Sequence, residues 1–182
     1  MDWQRLLDEN AIYLVSVFLV VAAWIDGKEL RVPNRLTYPF IIAGVITLTL
    51  IGGWTGLKMS LVGVFVGMMC LLPLYMIGGM GSGDVKMMMG MGAWLGGQIT
   101  WDAFYVSVIV GAVMGLIMIA CTGRWRHHFN NAVMIVSELF RVKNPWQIAE
   151  AAAERKPRMQ LLPYGIPICI GSIGYFLSSG LL

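Results

Sequence analysis

Charge-free, strongly apolar stretches alternate with short polar ones along this chain of 182 residues. The stretches cover 10–25, 36–57, 59–83, 87–101, 103–123 and 159–182. Within each, apolar side chains follow one another without the two-residue alternation of a barrel strand, so the pattern predicts helices. A helix rises about 1.5 Å per residue, and a hydrocarbon core about 30 Å thick takes about 20 residues to cross. Four of the stretches meet that length unaided. The two short ones, 10–25 and 87–101, must each draw on neighbours, and the nearest are Asp26 and Asp84. The expected fold is all-α: one membrane-embedded domain over residues 1–182, with about six transmembrane helices and two carboxylates at or just inside the membrane boundary.

Composition agrees. Hydrophobic residues make up 58% of the chain and charged residues 13%, against about 45–50% and about 25% in ordinary soluble domains. A soluble domain of this size cannot hide so much apolar area. This excludes a soluble enzyme, a disordered chain and a disulfide-stapled secreted module. A net charge of +3 gives no footprint for nucleic acid. The first stretch does not read as a cleaved signal, because Asp2, Asp8 and Glu9 outweigh Arg5 and no small-residue cleavage site follows.

The distribution of charge says more than its sum. Lys28, Arg31 and Arg35 follow the first stretch, and Lys86 follows the third. Arg124, Arg126, Arg141, Lys143, Arg155, Lys156 and Arg158 follow the fifth. Only Arg5 and Lys58 fall on the other side of an alternating six-span path. The positive-inside rule then puts both termini outside and the three basic segments in the cytoplasm. Lys58 and Asp102 mark the outer reversals, with Asp102 starting a helix. Asp26 and Asp84 come out at the same depth on the cytoplasmic side. Between the fifth and sixth spans, 124–158 reads as a cytoplasmic or interfacial helical insertion. Phe129, Ala132, Val133, Val136, Leu139 and Phe140 recur at helical spacing. Asn144 and Pro145 break that helix and begin a second, which Pro157 ends. Gly63/Gly67 and Gly111/Gly115 are small-xxx-small pairs suited to close packing within the bundle.

An ionisable side chain within a membrane is costly, which makes Asp26 and Asp84 the candidates for chemistry. Their structural alternative is a pair of helix-end carboxylates bonded to Lys28 or Lys86. Asp84, however, follows Gly81-Ser82-Gly83, a nearly side-chain-free segment that lets an extended peptide backbone approach a carboxylate. Two carboxylates placed close together cannot both ionise and share one proton. One can then draw a proton from an attacking water while the other donates to the departing amide. Other chemistries are poorly supplied. His127 and His128 are adjacent, with no third ligand near, so no metal or other cofactor is expected. Cys70, Cys121 and Cys169 sit singly in separate apolar stretches without a CxxC. The methionines around Met87 read as core and lipid packing.

Three stretches resemble the type IV prepilin peptidases, membrane aspartic peptidases of the GxGD type. Residues 26–37 (Asp-Gly-Lys-Glu-Leu-Arg-Val-Pro-Asn-Arg-Leu-Thr) are similar to that family's first catalytic block, and 81–86 (Gly-Ser-Gly-Asp-Val-Lys) to its second. Pro163-Tyr164-Gly165-Ile166-Pro167 resembles a Pro-aromatic-Gly element before its last span. The resemblance implies removal of the short basic leader from prepilin-like membrane substrates at the cytoplasmic membrane face. Asp26 and Asp84 would be the catalytic pair. Pro33, Asn34, Gly81, Gly83, Lys86, Pro163 and Gly165 would support the site or bind substrate. It further implies the short, peptidase-only form, since the methylating members carry paired CxxC motifs. The competing reading is a non-catalytic membrane scaffold of a pilus or secretion machine. The sequence does not specify an oligomeric state.

Overall fold

A computed structural model describes residues 3–29, 32–76, 80–122 and 163–182; the expected helical insertion over 124–158, with His127 and His128, lies outside the described residues. Among the described residues all regular structure is helical: α1 (Trp3–Glu29), α2 (Asn34–Met76), α3 (Ser82–Thr122) and α4 (Gly165–Ser178). Three of these contain stretches long and apolar enough to cross a membrane, Asn10–Glu29, Asn34–Met76 and Ser82–Cys121.

Polarity is turned inside out. Asp26, Thr37, Ser60, Asp84 and Thr100 are buried, while Val17, Leu50, Trp54 and Phe65 face outward. That arrangement costs free energy in water and suits hydrocarbon, where every polar group needs an internal partner. Accordingly the Ser60 hydroxyl donates to the Ala93 carbonyl across helices at 2.7 Å, and the Thr100 hydroxyl to the Gly96 carbonyl at 2.6 Å.

The two long helices are each folded back on themselves. Straight, α2 would extend about 64 Å, roughly twice a hydrocarbon core. Gly53 interrupts it at φ 56° and ψ −134°, outside the helical region. Before that break, Asn34 meets Lys86 and Phe40 meets Trp94; after it, Ser60 meets Ala93 and Gly67 packs on Met88. The two limbs of α2 thus run in opposite directions along the same first limb of α3. In α3 the break is Gly96, at φ 78°. Asp84 and Gly111, which a straight helix would hold about 40 Å apart, both neighbour Tyr164. The second limb of α3 returns alongside α4. Tyr175 donates to Asp102 at 3.0 Å, and the Ser107 hydroxyl lies 3.4 Å from the Ile168 carbonyl.

These breaks correct the expected reversals at Lys58 and Asp102. Both charged residues lie inside helix, a few residues past a glycine that does the turning. A charge near the interface extends its head toward water without disturbing the backbone, and Lys58 rests its ammonium 5.6 Å from the Trp54 ring. The turn itself needs dihedrals that only glycine adopts without strain. Asp102 is an interhelical acceptor rather than a helix start.

Helix contacts are made by missing side chains, as expected where apolar burial cannot drive association between helices. A methyl group at Gly63 would land on the Gly92 carbonyl, and one at Gly67 would come within 2.5 Å of the Met88 carbonyl oxygen. Gly111 makes ordinary contacts with Pro167 and Tyr164, whereas Gly115 has nothing within 4 Å. On the other side, Phe18 of α1 stacks on Phe40 of α2, with centroids 3.8 Å apart and planes 2° from parallel.

Candidate active site

Three helix ends converge on one end of the bundle: the C-terminal turns of α1 and the N-termini of α3 and α4. Asp26 stands one turn before the end of α1 and is 4% exposed; Asp84 stands in the first turn of α3 and is 3% exposed.

Asp84 is the third residue of its helix and turns back on the residue before the helix. Its Oδ2 accepts the Gly81 backbone N–H at 3.0 Å. This is the acidic half of a capping box, and it satisfies a donor that the first turn leaves without an intrahelical partner. The positive end of the α3 dipole suits a carboxylate there. Asp26 occupies the opposite setting, near the negative end of the α1 dipole. Its compensation comes from another helix: Asp26 Oδ2 accepts the Gly165 N–H at 2.9 Å. Tyr164, the residue before α4, makes no side-chain cap of its own. Asp26 therefore caps α4 from across the bundle.

Gly165 must be glycine for that bond to form, because a Cβ would lie 2.9 Å from both Cβ and Oδ2 of Asp26. Its neighbour Tyr164 is half-buried and lies within electrostatic reach of the other carboxylate, Asp84. Of two adjacent residues of one turn, one thus bonds Asp26 and the other lies within electrostatic reach of Asp84.

The remaining expected residues gather around this centre. A Cβ on Gly83 would meet Val32 Cβ at 2.9 Å and Val32 N at 3.0 Å, so the segment after α1 packs on the start of α3. Gly83 was expected to leave room for an extended peptide, but Val32 of the same chain takes that space. Gly81 is looser, with Asp84 Oδ2 at 3.3 Å from a built Cβ. The Pro33 carbonyl accepts the Leu36 and Thr37 N–H groups at 3.0 and 3.4 Å and so begins α2. One residue on, Asn34 Oδ1 accepts from Lys86 Nζ at 2.6 Å, and the ammonium lies 4.9 Å from the Tyr38 ring centre. Lys86 thereby ties α3 to α2. The Pro163 carbonyl accepts the Ile166 N–H at 3.2 Å and opens the turn into α4.

Sequence reasoning missed Tyr164 as a neighbour of Asp84 and gave no reason for Gly165. The available signal was the position of both between Pro163 and Pro167, which confines the backbone just ahead of a helix. Chemically, two buried carboxylates, each with one oxygen held by a backbone donor, are suited to moving protons at a polarised amide.

Comparison with known proteins covers the stretch that holds both aspartates. The model of the "Type IV leader peptidase family" matches residues 13–119, which include Asp26, Asn34, Asp84 and Lys86. A "Prepilin leader peptidase/N-methyltransferase" of Aeromonas hydrophila is 34% identical over 113 residues, 58% of this chain and 39% of that protein. Proteins with the same description from Neisseria gonorrhoeae and Xanthomonas campestris are 30% and 32% identical over 118 and 124 residues, covering 61% and 62% of this chain and 41% and 42% of theirs. The chain thus spans about two fifths of the length of these curated relatives. No solved structure matches it.

Proposed function

Because the chain belongs to the type IV leader peptidase family, we propose that it is an aspartic endopeptidase that removes the leader of prepilin-like membrane proteins at the cytoplasmic face. The observation carrying this reading is the joint placement of Asp26 and Asp84 at one end of the bundle: both buried, each accepting a backbone N–H, Asp26 against Gly165 and Asp84 within electrostatic reach of the adjacent Tyr164. The pair shares a proton. The ionised member takes a proton from water as the water oxygen adds to the scissile carbonyl. The protonated member donates to the amide nitrogen, the C–N bond breaks, and a carboxylate and a new amino terminus are left. The acid and base roles belong to the pair rather than to either residue alone.

The path across the membrane is six crossings: α1, the two limbs of α2, the two limbs of α3, and a last one built around α4. The segments rich in Lys and Arg face the cytoplasm and both termini face outward. Methyl transfer forms no part of this reading, since the cysteines Cys70, Cys121 and Cys169 make no CxxC pair.

The test is cleavage of a purified prepilin-like substrate by the protein in lipid. Asp26→Asn and Asp84→Asn are each expected to lower the rate by at least about 10²-fold, with insertion and thermal unfolding retained. The wild-type rate is expected to follow a bell-shaped pH profile, because one member must be charged and the other neutral. Cleavage at the wild-type rate by either variant would overturn the proposal and leave the scaffold reading in its place.

A further inference from the structure

The proposed substrate carries its scissile bond beside an apolar helix that already lies in the bilayer, so the protein needs a lateral seat for that helix next to its carboxylates. This rests on the peptidase reading, and the structure limits where the seat can be. Between α2 and α3 the backbones touch at Gly63 and Gly92 and again at Gly67 and Met88, with no room for a methyl group. Between α1 and α2 the way is closed by the Phe18–Phe40 stack, against which Gly90 also packs. Between α1 and α4 the surface opens into a groove of about 410 Å³.

That groove is built from one stripe of α1, Val20, Ala23, Trp24 and Gly27, and from Ile166 and Cys169 of α4. These positions recur every three or four residues, so each set is a single helix face. Gly27 follows Asp26 directly and Ile166 follows Gly165 directly, so the end of the groove lies one residue along each helix from the hydrogen bond that joins Asp26 to Gly165. Ala23 and Gly27 are one turn apart with little side chain, which lets a third backbone come close. A built Cβ on Gly27 meets only Ile166, at 3.6 Å. At the mouth, the Lys28 ammonium sits 4.5 Å from the Trp24 ring centre, as expected where a bilayer meets water.

We propose that the groove between α1 and α4 receives the apolar helix of the substrate and delivers the bond preceding that helix to Asp26. A helix lying along α1 with its cytoplasmic end at Gly27 places the residues just outside the membrane over the carboxylate. The occupant is apolar because the walls above the mouth are mainly apolar side chains, Val20, Ala23, the Trp24 ring and Ile166.

Disulfide cross-linking tests this. Cys70, Cys121 and Cys169 are replaced by alanine, and one cysteine is returned either in the groove, Val20→Cys, or on an exposed face of α3, Val108→Cys; Val20 and Val108 are 52% and 46% exposed. Asp84→Asn keeps the substrate intact, and single cysteines are placed in turn along the substrate helix. The expected result is cross-linking to Val20→Cys from one face of that helix and none to Val108→Cys. In the otherwise wild-type protein, Gly27→Trp is expected to raise KM at least tenfold, with kcat changed less. Cross-links to Val108→Cys in place of Val20→Cys, or to neither, overturn the groove, and wild-type cleavage in the same preparation leaves the peptidase reading standing. Cross-links to Val20→Cys without any wild-type cleavage support the groove and overturn the peptidase reading.

Discussion

Gly165 shows how little space separates a working site from a blocked one. Its N–H reaches Asp26 at 2.9 Å only because no side chain intervenes. In Gly165→Ala the new methyl group pushes the carboxylate or the start of α4 aside by several tenths of an ångström or more. A misplacement approaching 1 Å can cost about 10²-fold. The cleavage rate is therefore expected to fall by roughly 10- to 100-fold, while Gly174→Ala, in the same helix with nothing within 4 Å, keeps the wild-type rate. Comparing kcat for the two variants separates an effect on Asp26 from an effect on α4. The two aspartates were legible in the sequence because short apolar stretches and a glycine-rich approach betray them. The Gly165 contact was not, since a backbone N–H has no letter of its own and its partner lies 139 residues away. Lys86 was legible as part of the second block, but its bond to Asn34 emerges only from the pairing of α2 with α3.

Hydropathy located the apolar elements and misplaced where they turn. It reports where a chain prefers hydrocarbon, so it drew boundaries at Lys58 and Asp102. The reversals at Gly53 and Gly96 obey backbone sterics instead and carry no hydropathy signal. Gly53→Ala is expected to cost about 1–3 kcal/mol, because its φ and ψ lie where other residues are strained. Gly52→Ala, with nothing within 4 Å, is expected to be neutral. Where α2 crosses α3 the glycines matter for a different reason. Gly63→Ala drives a methyl group into the Gly92 carbonyl and is expected to destabilise the bundle by roughly 1–3 kcal/mol. Thermal unfolding of the three variants in one detergent ranks these effects, and equal midpoints for Gly52→Ala and Gly63→Ala would contradict the packing described.

Across the molecule, the all-helical architecture and the convergence of Asp26 and Asp84 on one end follow from the sequence pattern. What the pattern left open was how deep that end lies, and the second limb of α3 supplies the measure. It is level with Tyr164 at Gly111 and continues, charge-free, to Thr122, about 16 Å further at a helical rise. That apolar tail, held among acyl chains, runs past the aspartates, which lie beside the end of α1 and the starts of α3 and α4. Solvent then reaches them only where the lipid leaflet dips. A host of short-chain lipids makes the dip shallow and a long-chain host makes it costly, by fractions of a kcal/mol for each ångström of mismatch. Turnover in vesicles is thus expected to decline several-fold as acyl chains lengthen, with substrate affinity changing less, and a rate indifferent to chain length would place the carboxylates at the surface after all. Where turnover does follow chain length, the depth of the aspartates is a property shared with the membrane that carries them.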